Sequence, residues 1–539
     1  MEDNRLNLPV GIQRFERIRK EGYLYVDKTQ YLVHMIQKGG IYFLARPRRF
    51  GKSLTISTLE AMFAGEKALF KGLFAEKFME NYEPSPVIRL DMSRTVTDSG
   101  IDGIIESMVH QVKKIAKNLD VSLSDSNLPG ILFDDLLSNT AKKYNKQVIV
   151  LIDEYDSPYT DFVNEPEMAR KVRGILRSFY KQLKANEEYI RFIFITGISK
   201  FARFGVFSTL NNVEDISLMS DYAEICGYTE EEMIRYFPDY LEETASKMKL
   251  TTEMLVEKMR YYYNGFTFDR DCSTKLYNPF STLRFFNHKA FINFWMQSGK
   301  PKMIGEYLND RQLTIEQFRM YPVSADFAES PGDMDETTPE GFLHQAGYLT
   351  LRPGKNGSEL SLDYPNTEVL NSMSKLLTQN IISINNYNFF EGNLLSAIVS
   401  KDVKKFVESA NYIFSCVPYA DFAGAAAQSV ELTGNKLTVQ EWLYRSCMIA
   451  FLRGCGIVTF AEVQTNTGRP DILLSHQGHV WLIELKVAAK GESPKKKIEE
   501  AYKQIINKNY AQAYPDALCV GLAVDDEKRQ ITEYQIFNF

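Results

Sequence analysis

The sequence predicts an α/β protein in three parts: a parallel sheet with helices on both faces, a helix-rich middle region, and a smaller C-terminal α/β domain. Three observations carry this reading. Through the first third of the chain, short apolar runs alternate with amphipathic helical stretches, the pattern of a parallel sheet with crossover helices. From "GYTEEEMIRYF" (227–237) onward the pattern turns helical, with only short strands. From about 430 a long helix leads into a second run of strands. The expected boundaries are 1–225, 226–425 and 430–539, and 539 residues exceed what one core accommodates.

In order, "GIYFLA" (40–45), "PVIRLDMS" (86–93), "KQVIVLIDE" (146–154) and "RFIFITGIS" (191–199) read as strands, with "EDISL" (214–218) as a candidate fifth. Between them, SLTISTLEAMFAG and SGIDGIIESMVHQVKKIAK have helical periodicity. Thr229 followed by Glu230, Glu231 and Glu232 reads as a helix start, where the helix dipole favours carboxylates. The polar stretch AESPGDMDETTPEG (328–341) reads as a loop. In the last part a helix (VQEWLYRSCMIAFLRGCG) precedes strands at 457–463, 471–475 and 479–487, then a helix at 495–508 and a strand near 517–524.

Composition excludes some functions. Hydrophobic residues make up 44% and charged residues 24%, as in ordinary globular proteins. The net charge of −6 argues against a globally basic nucleic-acid binder. Any such contact has to come from local patches: Arg46, Arg48 and Arg49, or Lys495, Lys496 and Lys497, although a solvated helix face explains the lysine run alone. The six cysteines form no CxxC pair, which speaks for reduced thiols and against a zinc site or disulfide framework. The N-terminus is polar, and no stretch reaches the ~18 apolar residues of a membrane span. These features read as a cytoplasmic protein with no membrane partner.

"RPRRFGKS" (46–53) lies between a strand and a helix, the context a phosphate-binding loop requires. The nucleotide-binding candidates are Arg49, Phe50, Gly51, Lys52, Ser53 and Leu54. Gly51 lets the backbone approach phosphate, Lys52 reaches the terminal phosphates, and Ser53 offers a hydroxyl to Mg²⁺. Arg46 stands where GxxxxGK[ST] has its first glycine, and a surface turn explains GKS taken alone. "VIVLIDEYD" (148–156) supplies the second half. Asp153 is suited to hold Mg²⁺ and Glu154 to orient the attacking water. Thr196, ending "FIFITG", is either a sensor of the γ-phosphate or an ordinary strand-end threonine.

"LPVGIQRFERIRKEGYLYVDKTQYL", "ARPRRFGKSL", "LIDEYDSP", "FSTLNNVEDISL", "YYYNGFTF" with "YNPFSTL", and "HQAGYLTL" resemble the AAA-ATPase-like family of mostly bacterial proteins over nearly the whole chain. In that family PRRFGKS is usual, so Arg46 is a family variant. The resemblance implies a P-loop NTPase fold, ATP bound through Gly51, Lys52 and Ser53, and Asp153 and Glu154 as the acidic pair. It also suggests that Tyr25, Asp27 and Lys28 lie near the nucleotide, although packing beside the first strand explains this box as well. No arginine finger is assigned: for Arg203 in "SKFARFG" solvent exposure is the better explanation.

"WLIELKV" (481–487) places Leu482, Glu484 and Lys486 on one strand face and Trp481, Ile483, Leu485 and Val487 on the other. A hairpin through SHQG brings Asp471 near Glu484. Two carboxylates suit Mg²⁺, and the lysine can orient or deprotonate a water and offset phosphate charge. A surface ion pair or an edge-protecting charge explains ExK alone. With "RPD" and "ELK" as its halves, this spacing resembles the PD-(D/E)xK nuclease superfamily, a restriction-endonuclease-like fold. Glu441 on the preceding helix and Gln504 on the following one match an additional acid and a glutamine frequent there.

The expected function is an ATP-binding and ATP-hydrolysing protein coupled to Mg²⁺-dependent phosphodiester hydrolysis. Its partner would be nucleic acid, DNA before RNA, and AAA-type ATPases often form homo-oligomers. The alternative is a signalling or scaffold ATPase whose C-terminal fold only binds nucleic acid or a protein.

Overall fold

The computed structural model describes residues 5–162, 165–198, 212–298, 318–324, 327, 338–354, 359–381, 384–416, 436–461, 470–507 and 514–537. Arg203 and most of the polar stretch at 328–341 lie outside them. Contacts divide the chain into two compact units: Met1–Met303 with Phe318–Glu368, and Ile304–Gln317 with Val369–Phe539.

The first unit is built on five parallel strands in the order β2-β3-β4-β1-β5. They are β1 (Gly40–Ala45), β2 (Val87–Asp91), β3 (Val148–Asp153), β4 (Ile190–Gly197) and β5 (Val213–Asp215). Every residue of β3 is buried, so helices cover both faces, as the near-continuous run of β-branched residues requires. Register pairs Leu44 with Thr196 and Ala45 with Gly197, so the loop after β1 emerges beside the ends of β4 and β3. The fifth strand is shorter than its sequence suggests. Beyond Asp215 the ladder ends because the Ser217 hydroxyl, rather than a backbone carbonyl, accepts the Ala45 N–H at 2.8 Å.

The same unit continues into helices Glu230–Tyr236, Pro238–Met248, Thr252–Tyr263 and Pro279–His288. Met233, Phe237, Leu241, Leu255, Met259 and Phe285 form their shared apolar core. Thr229 and Glu232 close a full capping box at the first of these helices. A three-stranded antiparallel sheet follows, order β6-β8-β7, from β6 (Tyr321–Val323), β7 (Thr350–Pro353) and β8 (Leu360–Asp363).

The second unit holds a mixed sheet in the order β13-β12-β11-β10-β9. Its strands are β9 (Val458–Ala461), β10 (Ile472–His476), β11 (His479–Ala488), β12 (Leu518–Asp525) and β13 (Gln530–Phe537). Only β11 and β12 pair in parallel. Gln477 and Gly478, at φ 50° and 84°, turn β10 tightly into β11, as a two-residue hairpin requires. The edge strand β13 has no counterpart in the sequence reading. "QITEYQIF" mixes polar and apolar residues, and Tyr534 and Ile536 stay exposed, so no clean alternation announces it.

Helix Pro494–Asn507 lays Ile498 and Ile505 on the sheet face that carries Leu482, Cys519 and Ala523. Gly521 pairs with Glu484 across β11 and β12. A Cβ there would stand 2.8 Å from the Phe537 ring and 3.4 Å from Ala501, so only glycine lets the helix close over this point. Helix Lys436–Gly454 packs Leu443, Tyr444 and Met448 into the cluster that holds Trp481, Ile483 and Leu485.

Candidate nucleotide and metal sites

Gly51, at φ 105°, turns the chain after β1 into helix Lys52–Phe63. This conformation strains any residue with a Cβ, which accounts for the glycine. Lys52 is buried, and its Nζ donates to the carbonyls of Arg46 (2.8 Å) and Pro47 (3.1 Å), so the loop curls around its own lysine. Burial pulls that ammonium below its ordinary range, against the pull of Glu154, Asp153 and Asp156.

Asp153 ends β3, and its Oδ1 accepts the Thr196 hydroxyl at 2.8 Å. The Glu154 N–H in turn approaches Thr196 Oγ1 at 3.4 Å. Thr196 therefore holds the acidic pair from the neighbouring strand. Glu154 sits at φ 48°, a costly conformation for a carboxylate residue, and burial raises its carboxyl above the usual range. Arg89 on β2 bonds Glu60 at 2.6 Å and lies 4.0 Å from Asp153.

Lys52, Ser53, Leu54 and Glu154 line a cleft of about 280 Å³ together with Ile12, Tyr228, Phe280 and Leu283. Arg49 borders it, its guanidinium 4.7 Å from the centre of the Phe280 ring. Phe50 turns the other way: its ring packs edge-on against Phe266 (4.8 Å) and Phe268 (5.1 Å), leaving its backbone as the part that can serve a nucleotide.

Arg46 has a role that the motif did not reveal. It is buried, donates to the carbonyls of Ser217 (2.6 Å) and Tyr222 (3.2 Å), and lies 4.2 Å from the centre of the Phe268 ring. Its partners stand more than 170 residues away, so neighbouring sequence gives no signal for it. The YVDKT box is likewise a joint. Asp27 accepts the Phe74 N–H at 2.7 Å, and Lys28 pairs with Glu232 at 2.6 Å. None of its residues lines the cleft.

In the second unit, Lys486 Nζ donates to Glu441 Oε1 (2.9 Å) and Glu484 Oε1 (3.0 Å) and stands 3.8 Å from Asp471 Oδ2. Three carboxylates from a helix, the start of β10 and β11 thus converge on one ammonium, which they hold protonated far above its ordinary range. Glu484 is fully buried, and its Oε2 has no hydrogen-bond partner. Burial and the neighbouring Asp471 push its carboxyl up to about 8. Asp471 Oδ2 accepts the Leu485 N–H at 2.9 Å, and Oδ1 accepts from Arg445 at 3.1 Å. Arg445 is the member of this cluster that the sequence reading missed. Gln504 lies half-buried on helix Pro494–Asn507, which covers the strand face carrying Glu484.

Among the described residues no group of three or more acidic, histidine or cysteine side chains is arranged to hold a metal ion as it stands. The ammonium occupies the centre of the carboxylate set. The buried, unpartnered Glu484 Oε2 nevertheless fits a divalent cation, since such an oxygen is costly to leave without a partner. No described helix is long and apolar enough to cross a membrane.

A parallel five-stranded sheet with a GKS loop after β1 and an acidic end to β3 defines a P-loop ATPase-type domain. Residues 9–207 match the family model described as a predicted AAA-ATPase, and residues 439–534 match that of the PD-(D/E)XK nuclease superfamily. Residues 9–207 thus form an AAA-ATPase-like domain and residues 439–534 a PD-(D/E)XK nuclease superfamily domain. A protein of Azotobacter chroococcum mcd 1, described as an uncharacterized protein in the vnfD 5' region, is 29% identical over 516 residues, covering 95% of this chain and 94% of that one. The likeness therefore runs through the middle region as well. A solved structure of the Aeropyrum pernix ORC1 protein in complex with DNA overlaps 65% of this chain and 91% of its own at 10% identity, with a TM-score of 0.26, too loose to bear on fold or partner.

Proposed function

We propose that this chain is a nucleotide-gated nuclease. In this reading residues 1–225 form the ATPase core, 226–425 a lid that carries its conformational change, and 430–539 a domain that hydrolyses phosphodiester bonds in nucleic acid, DNA before RNA. The observation that carries it is the convergence of Glu441, Asp471 and Glu484 on Lys486, with one buried oxygen of Glu484 left for a cation. A structural ion pair needs only one acid per lysine.

At the N-terminal site, Gly51, Lys52 and Ser53 would hold the phosphates of Mg·ATP, with Ser53 and Asp153 on the ion. Ser53 lies in the first turn of the helix whose amide dipoles favour the anion. Lys52 would exchange the carbonyls of Arg46 and Pro47 for phosphate oxygens, and Thr196 would keep Asp153 and Glu154 in place meanwhile.

At the C-terminal site, Asp471, Glu484 and Glu441 would hold Mg²⁺, which when bound stabilises the charge that grows on the phosphate and makes its water more acidic. Lys486 supplies a fixed positive charge and hydrogen bonds to a nonbridging oxygen. Its three acidic neighbours keep it protonated, which favours this role over that of a base. Gln504 would position water or substrate from the covering helix. ATP would act by binding the cleavage-competent state more tightly than the idle one. The protein would act in the cytoplasm, and a ring of like subunits is the assembly such ATPase domains commonly adopt.

One observation favours the alternative, a scaffold that binds without cutting: both oxygens of Asp471 are already engaged, by Arg445 and the Leu485 N–H. Cleavage of linear, circular and single-stranded DNA and RNA in Mg²⁺ separates the two. The nuclease reading expects cutting by the wild type that Lys486→Ala abolishes while ATP hydrolysis persists. Intact substrate in every lane, with ATP hydrolysis present, would sink it.

A further inference from the structure

The engagement of Asp471 by a guanidinium carries more than a rival reading. Arg445 lies one turn after Glu441 on helix Lys436–Gly454, so one helix face delivers an acid and a cation to the same cluster. Three carboxylates there face two cations, Lys486 and Arg445. The two cations are not equivalent. Lys486 bonds two carboxylates at 2.9 and 3.0 Å and lies within 4 Å of the third, so removing it would expose all three to one another. Arg445 bonds Asp471 Oδ1 of this acidic set at 3.1 Å. The other Asp471 oxygen is pinned to the backbone of β11 and cannot turn away.

We propose that Arg445 is the exchangeable counter-cation of this site. In the metal-free chain it neutralises Asp471. When a divalent cation enters, it leaves Oδ1 and pairs with a nonbridging oxygen of the bound phosphodiester. The inference rests on the metal-dependent nuclease reading above. Electrostatics drives the first half, because a guanidinium and a divalent ion on one carboxylate repel each other. The second half follows from shape: the planar guanidinium fork presents paired N–H donors that match phosphate oxygens. Glu484 Oε2, buried and without a partner, is the oxygen left to receive the incoming ion. Both engaged oxygens of Asp471 are then a resting state, and the cost of breaking Arg445 from Asp471 sets the metal affinity.

The test is calorimetric titration of the full-length chain with Mn²⁺ alone, followed by binding of a short labelled DNA duplex in Ca²⁺. Arg445→Gln is expected to bind Mn²⁺ more tightly, on the order of tenfold, and the duplex more weakly by a similar factor. Arg445→Lys keeps the charge and loses the fork, so its Mn²⁺ affinity stays near wild type while its duplex affinity still falls. Mn²⁺ affinity in a folded Arg445→Gln chain equal to or weaker than wild type overturns the proposal. So does unchanged duplex affinity in Arg445→Lys, which decides the matter if the glutamine variant does not fold. A wild type that binds Mn²⁺ no better than Asp471→Asn contradicts the nuclease reading itself, and the proposal with it.

Discussion

Gly347 lies against Pro47 of the phosphate-binding loop so closely that a Cβ on it would stand 2.6 Å from the Pro47 Cβ. It also holds φ 83°, a conformation costly for any other residue. "HQAGYLTL", far along the chain, therefore forms part of the bed on which the loop rests, with Phe266 and Phe268 under Phe50 and Arg46. Gly347→Ala is expected to lose roughly 1–3 kcal/mol of stability and to weaken ATP binding. Thermal unfolding and a nucleotide titration check this, and wild-type values in both would show that the bed yields freely.

Arg46 makes the same point from the other side of the loop. A lysine in its place cannot span the carbonyls of Ser217 and Tyr222 or stack on Phe268. Arg46→Lys should therefore cost about 2 kcal/mol, chiefly through unpaired buried carbonyls. Chemical denaturation measures it. A loss no larger than a surface substitution gives would mean the guanidinium is dispensable.

Glu368 predicts a pH dependence. It is fully buried, accepts the N–H groups of Phe294 (2.7 Å) and Trp295 (3.0 Å), and burial pushes its carboxyl up to about 8. Because the folded value lies above the unfolded one, its contribution is full below about pH 4.5 and is lost as pH rises toward 8. Stability should fall across that window by an amount on the order of a few kcal/mol, and Glu368→Gln should flatten the fall. An unchanged slope in the variant would assign the dependence elsewhere.

Lys486→Ala removes the cation that three carboxylates share. The metal-free variant should lose about 3–5 kcal/mol, the usual cost of stripping one partner from a buried ion pair. Mg²⁺ should return more melting temperature to it than to the wild type, because the ion would take the vacated charge position. Melting curves with and without Mg²⁺ read this out, and equal shifts in the two proteins would argue against a cation site there.

How much of this was legible in the sequence differs by element. The β3 and β4 runs are rich in β-branched residues and β1 in aromatic and aliphatic ones, and their burial imposes that composition, so they read clearly. Asp471, Glu484 and Lys486 were legible because a two-residue turn fixes the register of β10 against β11. Strand order was not, since alternation does not say that β4 separates β1 from β3. Arg46 and Arg445 were opaque for a different reason. A buried or paired arginine looks like a solvated one until the distant carbonyls and carboxylate that satisfy it are in place. The box at Tyr25, Asp27 and Lys28 stands out in the sequence, but only its partners at Phe74 and Glu232 give it a joining role.

In the proposed mechanism, nucleotide at Lys52 controls cleavage at Lys486. The most direct test is the Mg²⁺-dependent cleavage rate of wild type and Lys52→Ala across a series of ATP concentrations. Gating by nucleotide predicts a wild-type rate that changes with ATP and a Lys52→Ala rate fixed at the ATP-free level. Identical rates for the two proteins at every ATP concentration would contradict it.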